Sequence, residues 1–208
     1  METLLPLVSF AFASSITPGP NNLMLSASGI AFGLKRTLPH MAGVFIGFIV
    51  LLLACGSGVG AVVTAFPAVE TAVRIVGSAY LLYLTWSMRR AFVPDAPGKP
   101  ARPLRLVEGA VFQFVNPKAW LMALTASSVF VPQITPRWLG VLVVCGVFAC
   151  VNLPCIGIWA VLGVSLRRGL ALERWSDYLT LVVGVLMLYA VVALWVGGDS
   201  PIAPMPSP

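Results

Sequence analysis

The sequence predicts an all-α polytopic membrane protein. Its six transmembrane helices are expected to form two inverted three-helix repeats, with the first and fourth helices interrupted. Three observations predict this: an apolar composition, six apolar spans, and a polar break within two of those spans. Of the 208 residues, 59% are hydrophobic and only 10% are charged, and the mean hydropathy is +0.95. A soluble domain carries roughly a quarter of charged residues, so we expect most of this chain to face lipid or other helices.

The apolar residues fall into six segments that are each long enough to cross a bilayer, since a transmembrane helix needs about 20 such residues. The second segment has no charged residue between Met41 and Ala65. The N-terminal segment lacks the basic start of a secretory signal peptide, so we expect it to be retained as a span. The six predicted spans are residues 4–34 (interrupted), 41–65, 69–88, 107–131, 138–164 and 178–196.

The distribution of positive charge predicts the topology. The net charge is +6, and ten of the 13 basic residues lie in three loops on one side of the predicted helices. Basic loops face the cytoplasm, so both termini are predicted to be periplasmic. This clustering is a topology signal, and we expect no nucleic-acid partner. The ten residues are Lys35, Arg36, Arg89, Arg90, Lys99, Arg102, Arg105, Arg167, Arg168 and Arg174.

A long polar segment divides the chain into two halves of three spans each. Because three is an odd number, the second half must enter the membrane from the opposite side. Such inverted repeats are common in secondary transporters. The predicted organisation is a first repeat at 1–88, a cytoplasmic linker at 89–106, a second repeat at 107–197 and a disordered Pro-rich tail at 198–208.

The first span is broken where its residues would lie deep in the bilayer. At 1.5 Å per residue, a helix that starts at Leu4 reaches about 20 Å at the break. Unpaired backbone groups are costly in lipid, so the break must face protein or a wet cavity. A helix that restarts there presents free amides and a positive dipole end to an anion such as a carboxylate. The predicted ligands are Thr17, Pro18, Gly19, Pro20, Asn21 and Asn22.

The fourth span is broken at Asn116, Pro117 and Lys118, one helical turn after Gln113. These four residues complete the predicted substrate-binding set. A lysine near a span's centre costs about 2.5–3.5 kcal/mol on insertion scales, so it needs a partner. The candidates are the carbonyls freed by Pro117, a substrate carboxylate or cavity water. Alternatively, Lys118 caps a broken helix without binding a ligand.

Enzyme and metal chemistry are weakly supported by the sequence. Ser57 lies between glycines, but the only histidine, His40, is about 25 Å away along the same predicted helix. The four cysteines, Cys55, Cys145, Cys150 and Cys155, fall in apolar spans and are interpreted as packing residues. Neither a metal nor another cofactor is expected. The glycine pairs Gly29/Gly33, Gly43/Gly47 and Gly56/Gly60 predict close helix packing.

Three stretches carry a resemblance to a known family. TPGPNNLMLSASGIAFGLKRTLPHMAGVFIGF at 17–48 resembles the N-terminal signature of the lysine-exporter (LysE/RhtB) family of amino-acid efflux proteins. FQFVNPKAW at 112–120 resembles the second signature of that family, and RIVGSAYLLYLTW at 74–86 resembles its third span. The resemblance implies a bacterial inner-membrane protein that exports amino acids or close derivatives and is driven by the proton gradient.

Within that family, the stretch at 112–133 looks nearest to exporters of cysteine and O-acetylserine. Many members carry an acidic residue where this chain has Phe48. The resemblance therefore leaves the proton-carrying residue unidentified.

These observations together predict a secondary active transporter that exports a small zwitterionic solute by alternating access. The amides near Pro20 to Asn22 would hold the carboxylate, and Lys118 would pair with it. Freed carbonyls near 14–17 or 112–115 would receive the ammonium. Membrane lipid is the expected surrounding, and a homo-oligomer is left open. The alternatives are an intramembrane enzyme and a passive channel for small polar solutes.

Overall fold

The structure is a computed structural model that describes residues 4–59, 65, 67–92 and 102–169, together with isolated positions between 178 and 195. The described residues form helices and no strands, in agreement with the predicted class. The helices of this described part are α1 (Leu4–Ile16), α2 (Pro20–Phe32), α3 (Leu34–Gly56), α4 (Pro67–Phe92), α5 (Leu106–Gln113), α6 (Pro117–Val129) and α7 (Arg137–Gly169).

Both predicted interruptions are present. Residues 17–19 separate α1 from α2, and residues 114–116 separate α5 from α6. A proline opens the second helix of each pair, Pro20 in α2 and Pro117 in α6. Proline suits the first helical position because its φ is already helical and its missing amide would have no partner there. Each proline therefore ends one helix and starts the next.

Each interrupted pair of helices packs along a long helix from the other half of the chain. Helices α1 and α2 lie against α7, α5 and α6 lie against α3, and α3 and α7 contact each other. The core between them is apolar and includes Leu7, Phe48, Ala123 and Phe148, none more than 3% exposed. This packing brings the two interruptions towards the same region.

Glycines allow α2 and α7 to approach at the level of their backbones. A Cβ atom at Gly29 would lie 2.5 Å from the carbonyl oxygen of Ala160, and one at Gly163 would collide with the carbonyl of Ser26. Both distances are shorter than real Cβ contacts allow, so this crossing requires glycine at the two positions.

A second crossing of the same kind joins α3 to α5. A Cβ atom at Gly47 would lie 2.5 Å from the carbonyl oxygen of Ala110, and one at Gly43 would collide with the backbone of Leu106. The predicted packing role of Gly29, Gly43 and Gly47 is therefore confirmed.

The bounds of α3 correct the predicted span at 41–65. The helix begins at Leu34, immediately after Gly33, whose φ of 79° makes the turn from α2. It ends at Gly56, and Gly58 follows with a φ of 98°. Positive φ favours glycine, so these two residues set the helix ends more tightly than hydropathy does. The basic residues at 35 and 36, predicted in a loop, lie in the first turn of α3.

Two helices of the described part are long and apolar enough to cross a membrane, Leu34–Gly56 and Arg137–Arg167, and α1 is a shorter apolar helix. The predicted spans at 69–88 and 138–164 lie within α4 and α7. The span at 178–196 lies outside the described residues apart from isolated positions, as does the whole tail at 198–208. The six-helix inverted repeat and its boundaries therefore stay predictions.

The predicted linker at 89–106 begins within a helix, because α4 continues to Phe92. Its last part anchors the start of α5. The Glu108 carboxylate accepts hydrogen bonds of 2.7 Å from the Arg102 guanidinium and from the backbone amide of Arg105. The bond to Glu108 raises the pKa of Arg102. A glutamate in the first helical turn also suits the helix dipole.

Of the four cysteines, Cys55, Cys145 and Cys155 are buried, in agreement with a packing role. Cys150 is exposed on this part of the protein, so the packing interpretation is wrong for that residue.

Candidate solute-binding site

The end of α1 loses its helical hydrogen bonds, and side chains from elsewhere replace them. The side-chain amide of Asn22 donates to the carbonyls of Ser15, at 2.9 Å, and Thr17, at 2.8 Å. The indole of Trp159 on α7 donates to the carbonyl of Ile16 at 3.0 Å. These carbonyls, which the first interruption frees, are therefore paired within the protein, as is expected for a break inside a membrane.

The second interruption is closed in a similar way. The Asn116 side chain caps α6 by accepting a hydrogen bond of 3.1 Å from the backbone amide of Lys118. The indole of Trp120 donates to the carbonyl of Phe114 at 2.8 Å. A tryptophan indole thus serves each interruption, Trp159 at the first and Trp120 at the second.

Two side-chain amides join the interruptions directly. Asn21 Nδ2 donates to Gln113 Oε1 at 2.8 Å, and Gln113 Nε2 donates to Asn21 Oδ1 at 3.0 Å. Gln113 Nε2 also donates to the carbonyl of Gly109 on its own helix. Gln113 is fully buried. The pair fixes the start of α2 against the end of α5.

Lys118 bridges the two interruptions through its side chain. Its Nζ donates to the carbonyl of Thr17 at 2.7 Å and to the Thr17 hydroxyl at 2.9 Å, and it lies 3.4 Å from the carbonyl of Pro18. One expected partner of Lys118 was the set of carbonyls freed by Pro117. The carbonyls that it contacts belong instead to the first interruption. The ammonium is therefore shared between α6 and the loop that precedes α2.

A cavity lies where these elements meet, with about 350 Å³ of space free of protein atoms, including the part open to solvent. One group of lining residues is polar and comes from both interruptions and from α7: Ser14, Ser15, Gly19, Asn21, Asn22, Asn116, Lys118 and Asn152. The other group is apolar: Val44, Phe48, Ala119, Met122 and Ile156.

The electrostatics of the cavity favour an anionic group. Helices α2 and α6 both begin at it, and a helix N-terminus carries roughly half a positive charge. No side chain caps α2 at Gly19, so its first amides stay available to a ligand. Lys118 places its side-chain amine at the same cavity. No aspartate or glutamate is among the described residues that line this cavity.

Comparison with known proteins agrees with the resemblance of the motifs. The family model described as LysE type translocator matches residues 12–198. The chain belongs to the LysE translocator family. As a LysE translocator it is a transport protein and not an enzyme.

Curated relatives cover nearly the same length. Cysteine/O-acetylserine efflux protein of Salmonella choleraesuis (strain SC-B67) is 28% identical over 190 residues, which is 90% of this chain and 94% of the relative. The proteins of that name from Klebsiella pneumoniae and Escherichia coli (strain K12) are 30% and 27% identical, with the same coverage. No solved structure matches the chain.

LysE family efflux proteins are inner-membrane proteins, which confirms the expected membrane location. The orientation of the termini and the sidedness of the loops stay predictions.

Half of the predicted site residues of this LysE translocator line the cavity itself: Gly19, Asn21, Asn22, Asn116 and Lys118. The other predicted residues support it. Thr17 and Pro18 accept from Lys118, Pro20 and Pro117 open the two helices, and Gln113 holds Asn21. Contact of any of them with a solute stays a prediction.

The apolar wall was largely missed by sequence reasoning. Val44 and Phe48 are one turn apart on α3, and Ala119 and Met122 follow Lys118 on α6. Apolar residues in an apolar span carry no local signal that separates a cavity wall from a lipid contact. The tryptophans were missed for the same reason. The available clue was position: a residue about one helical turn beyond a polar break lies on the same face of its helix as the break.

The structure also shows hydrogen bonds to the freed carbonyls that were expected to receive an ammonium group. The carbonyls of Ser15, Ile16, Thr17 and Phe114 already accept hydrogen bonds from protein side chains. These four carbonyls are therefore engaged within the fold.

Proposed function

We propose that this LysE translocator exports a small zwitterionic solute, an amino acid or a close derivative, from the cytoplasm as a secondary active transporter. The observation that carries the proposal is the meeting of two helix N-termini and Lys118 at one cavity. Three positive features at one point make a receptor for a carboxylate. Every α-amino acid carries that group.

The carboxylate would bind at the uncapped start of α2. The amides of Asn21 and Asn22 follow Pro20 there, and neither is needed by the preceding helix. Lys118 Nζ lies against the neighbouring carbonyls of Thr17 and Pro18. An arriving carboxylate can attract the ammonium away from these neutral oxygens, because it adds the attraction between opposite charges to the hydrogen bond.

The apolar wall would hold the side chain of the solute. Phe48 and Met122 are buried in this wall, so they offer apolar contacts shielded from bulk water. The relatives named above are efflux proteins for cysteine and O-acetylserine, both of which have short side chains. We infer that the solute of this chain belongs to the same class.

Alternating access is supported by the similar packing of the two interrupted helices. Each lies along a long helix of the opposite half, α7 or α3, and each has a proline start and an indole bonded to a freed carbonyl. This correspondence supports inverted repeats at 1–88 and 107–197. The clustering of basic residues in three loops supports an orientation in the inner membrane with those loops cytoplasmic and both termini periplasmic. In such folds the two halves rock around a central site.

Proton coupling is the proposed energy source. The described residues that line the cavity include Phe48 and no acidic side chain, so the proton is expected to be carried elsewhere. No residue is assigned to that role.

Efflux from proteoliposomes tests the proposal. Vesicles with purified protein are loaded with radiolabelled cysteine under a thiol reductant, or with O-acetylserine, and diluted into buffer at equal or at lower external pH. We expect efflux above that of protein-free vesicles, faster with the inward proton gradient. We also expect unlabelled solute outside to accelerate exchange, which a passive channel does not show.

The outcomes separate the parts of the proposal. Efflux no faster than from protein-free vesicles, for these and for other small amino acids, would overturn the transport assignment. Efflux without gradient dependence would overturn proton coupling alone. Efflux without exchange stimulation would favour a channel.

A further inference from the structure

We propose that Asn152 on α7 receives the ammonium group of the solute and thereby selects zwitterions over simple anions. This inference rests on the proposed function and assigns a role that the carboxylate receptor leaves open. A site built from positive groups alone would bind any small anion of suitable size. A zwitterion transporter therefore needs a second group that recognises the ammonium.

Asn152 has the position for this role. It lines the same cavity as Lys118, but from α7 and not from α6, so the two groups belong to different walls. Its side chain is 6% exposed, so bulk water competes little for its hydrogen bonds. Pro154 follows two residues later within the same helix.

The hydrogen bonds of Asn152 leave one atom free. Its Nδ2 donates to Ser15 Oγ at 3.1 Å, which fixes the side chain against α1. Among the fully buried side-chain oxygens of the described residues, Asn152 Oδ1 is the one that accepts no hydrogen bond. A buried carbonyl oxygen without a partner is unfavourable, and this one can accept two donors. An ammonium group in the cavity would supply them.

Three other oxygens near the cavity are less available. The Thr17 carbonyl accepts from both Lys118 and Asn22, the Ser15 carbonyl accepts from Asn22, and Asn21 Oδ1 accepts from Gln113. No carboxylate of the described residues lines the cavity. Asn152 Oδ1 is then a neutral acceptor that the fold leaves free.

A neutral acceptor also fits the work of an exporter. An aspartate at this place would leave a buried negative charge whenever the cavity is empty, which is costly in a membrane protein. An amide oxygen binds the ammonium without carrying that charge. The empty transporter can therefore return to the state in which its cavity opens to the cytoplasm. While the cavity is empty, the Lys118 ammonium, which would bind the carboxylate, donates a hydrogen bond to the Thr17 carbonyl.

Competition binding tests the inference. Purified protein in detergent binds radiolabelled cysteine under reductant, and three competitors displace it: cysteine, 3-mercaptopropionate, which lacks the ammonium, and cysteamine, which lacks the carboxylate. Wild type, Asn152→Leu, Asn152→Asp and Lys118→Met are compared. The control Ser127→Ala removes a buried hydroxyl on α6 that does not line the cavity.

Wild type is expected to prefer cysteine to 3-mercaptopropionate by roughly ten- to hundred-fold, the range for one hydrogen bond to a charged group. Asn152→Leu should bring this ratio close to one while leaving the preference over cysteamine unchanged. Lys118→Met should instead bring the preference for cysteine over cysteamine close to one and leave the preference over the analogue without an ammonium unchanged. Asn152→Asp restores an acceptor and should keep the preference for the ammonium, and Ser127→Ala should behave like wild type.

A purely structural role for Asn152 predicts a different pattern, in which all three competitors weaken together and both ratios are kept. That result, or an unchanged preference for cysteine in a folded Asn152→Leu, overturns the inference. If Asn152→Leu does not fold, the ratio for Asn152→Asp decides, because loss of the preference there overturns it too. Absence of amino-acid binding and of efflux by wild type would overturn the proposed function instead.

Discussion

Asn21 and Gln113 exchange two side-chain hydrogen bonds, of 2.8 and 3.0 Å, although 92 positions separate them in the chain. Asn21 lies in the first turn of α2, and Gln113 is the last residue of α5. Their hydrogen bonds therefore hold the start of one broken helix against the end of the other. Both were predicted as substrate ligands. Their mutual pairing makes them the joint between the two interruptions, beside the cavity that they help to shape.

The joint predicts a coupled effect of substitution. Asn21→Leu and Gln113→Leu should each destabilise the protein by about 1 kcal/mol, because each leaves the partner amide without its bonds. The double variant should cost little more than either single variant. The measurement is the free energy of unfolding in mixed micelles, followed by the ellipticity of the helices.

The control for this cycle is the pair Asn21→Leu and Ser165→Ala, since Ser165 is exposed on α7 and bonds only within its own helix. Those two changes should add. Additive costs for the Asn21 and Gln113 variants as well would show that the two amides do not stabilise each other.

The interruptions could be predicted from sequence because their cause is local. Pro20 and Pro117 act on the backbone of their own turn, wherever the rest of the chain lies. The partners of the freed groups could not be predicted, because they come from distant positions. Lys118 reaches Thr17 across 101 residues, and Trp159 reaches Ile16 across 143.

Residue type alone also leaves a choice open where one side chain can serve two purposes. An asparagine at a helix start reads equally well as a ligand and as a cap, and Asn116 caps α6. The free oxygen of Asn152 depends on its bond to Ser15, which lies on another helix. Such assignments follow from the packing of α7 against α1.

The Lys118 contacts predict separate effects of charge and of shape. Lys118→Met should reduce efflux at least ten-fold, because it removes the cation at the cavity and leaves the Pro18 carbonyl without its donor. Lys118→Arg keeps the charge but has a rigid planar fork, so efflux should fall less. The measurement is the initial rate of efflux from proteoliposomes at matched protein content.

Lys35→Met is the matched control, since it removes a lysine that is exposed in the first turn of α3. It should leave the rate near that of wild type. A Lys118→Met protein that exports at the wild-type rate would contradict a role for this ammonium in transport.

The two indole bonds predict matched losses of stability. Trp159→Phe and Trp120→Phe keep an aromatic ring but leave the carbonyls of Ile16 and Phe114 without these donors. Each change should cost about 1 kcal/mol, and the two should add because they serve different interruptions. Trp138→Phe, at an exposed position near the start of α7, should cost less than half as much. Equal unfolding free energies for all three variants would argue that the indole bonds contribute nothing.

The crossing of α2 and α7 predicts opposite effects for the same substitution at two glycines of one helix. Gly163→Ala places a methyl group against the carbonyl of Ser26 and must push the helices apart, so we expect a loss of about 1–3 kcal/mol. At Gly157 an added Cβ meets nothing within 4 Å. Gly157→Ala should therefore be neutral, or more stable by up to about 1 kcal/mol, because alanine restricts the unfolded chain more than glycine does. The free energy of unfolding in micelles distinguishes the two, and a Gly163→Ala protein as stable as Gly157→Ala would show that the backbones do not approach this closely.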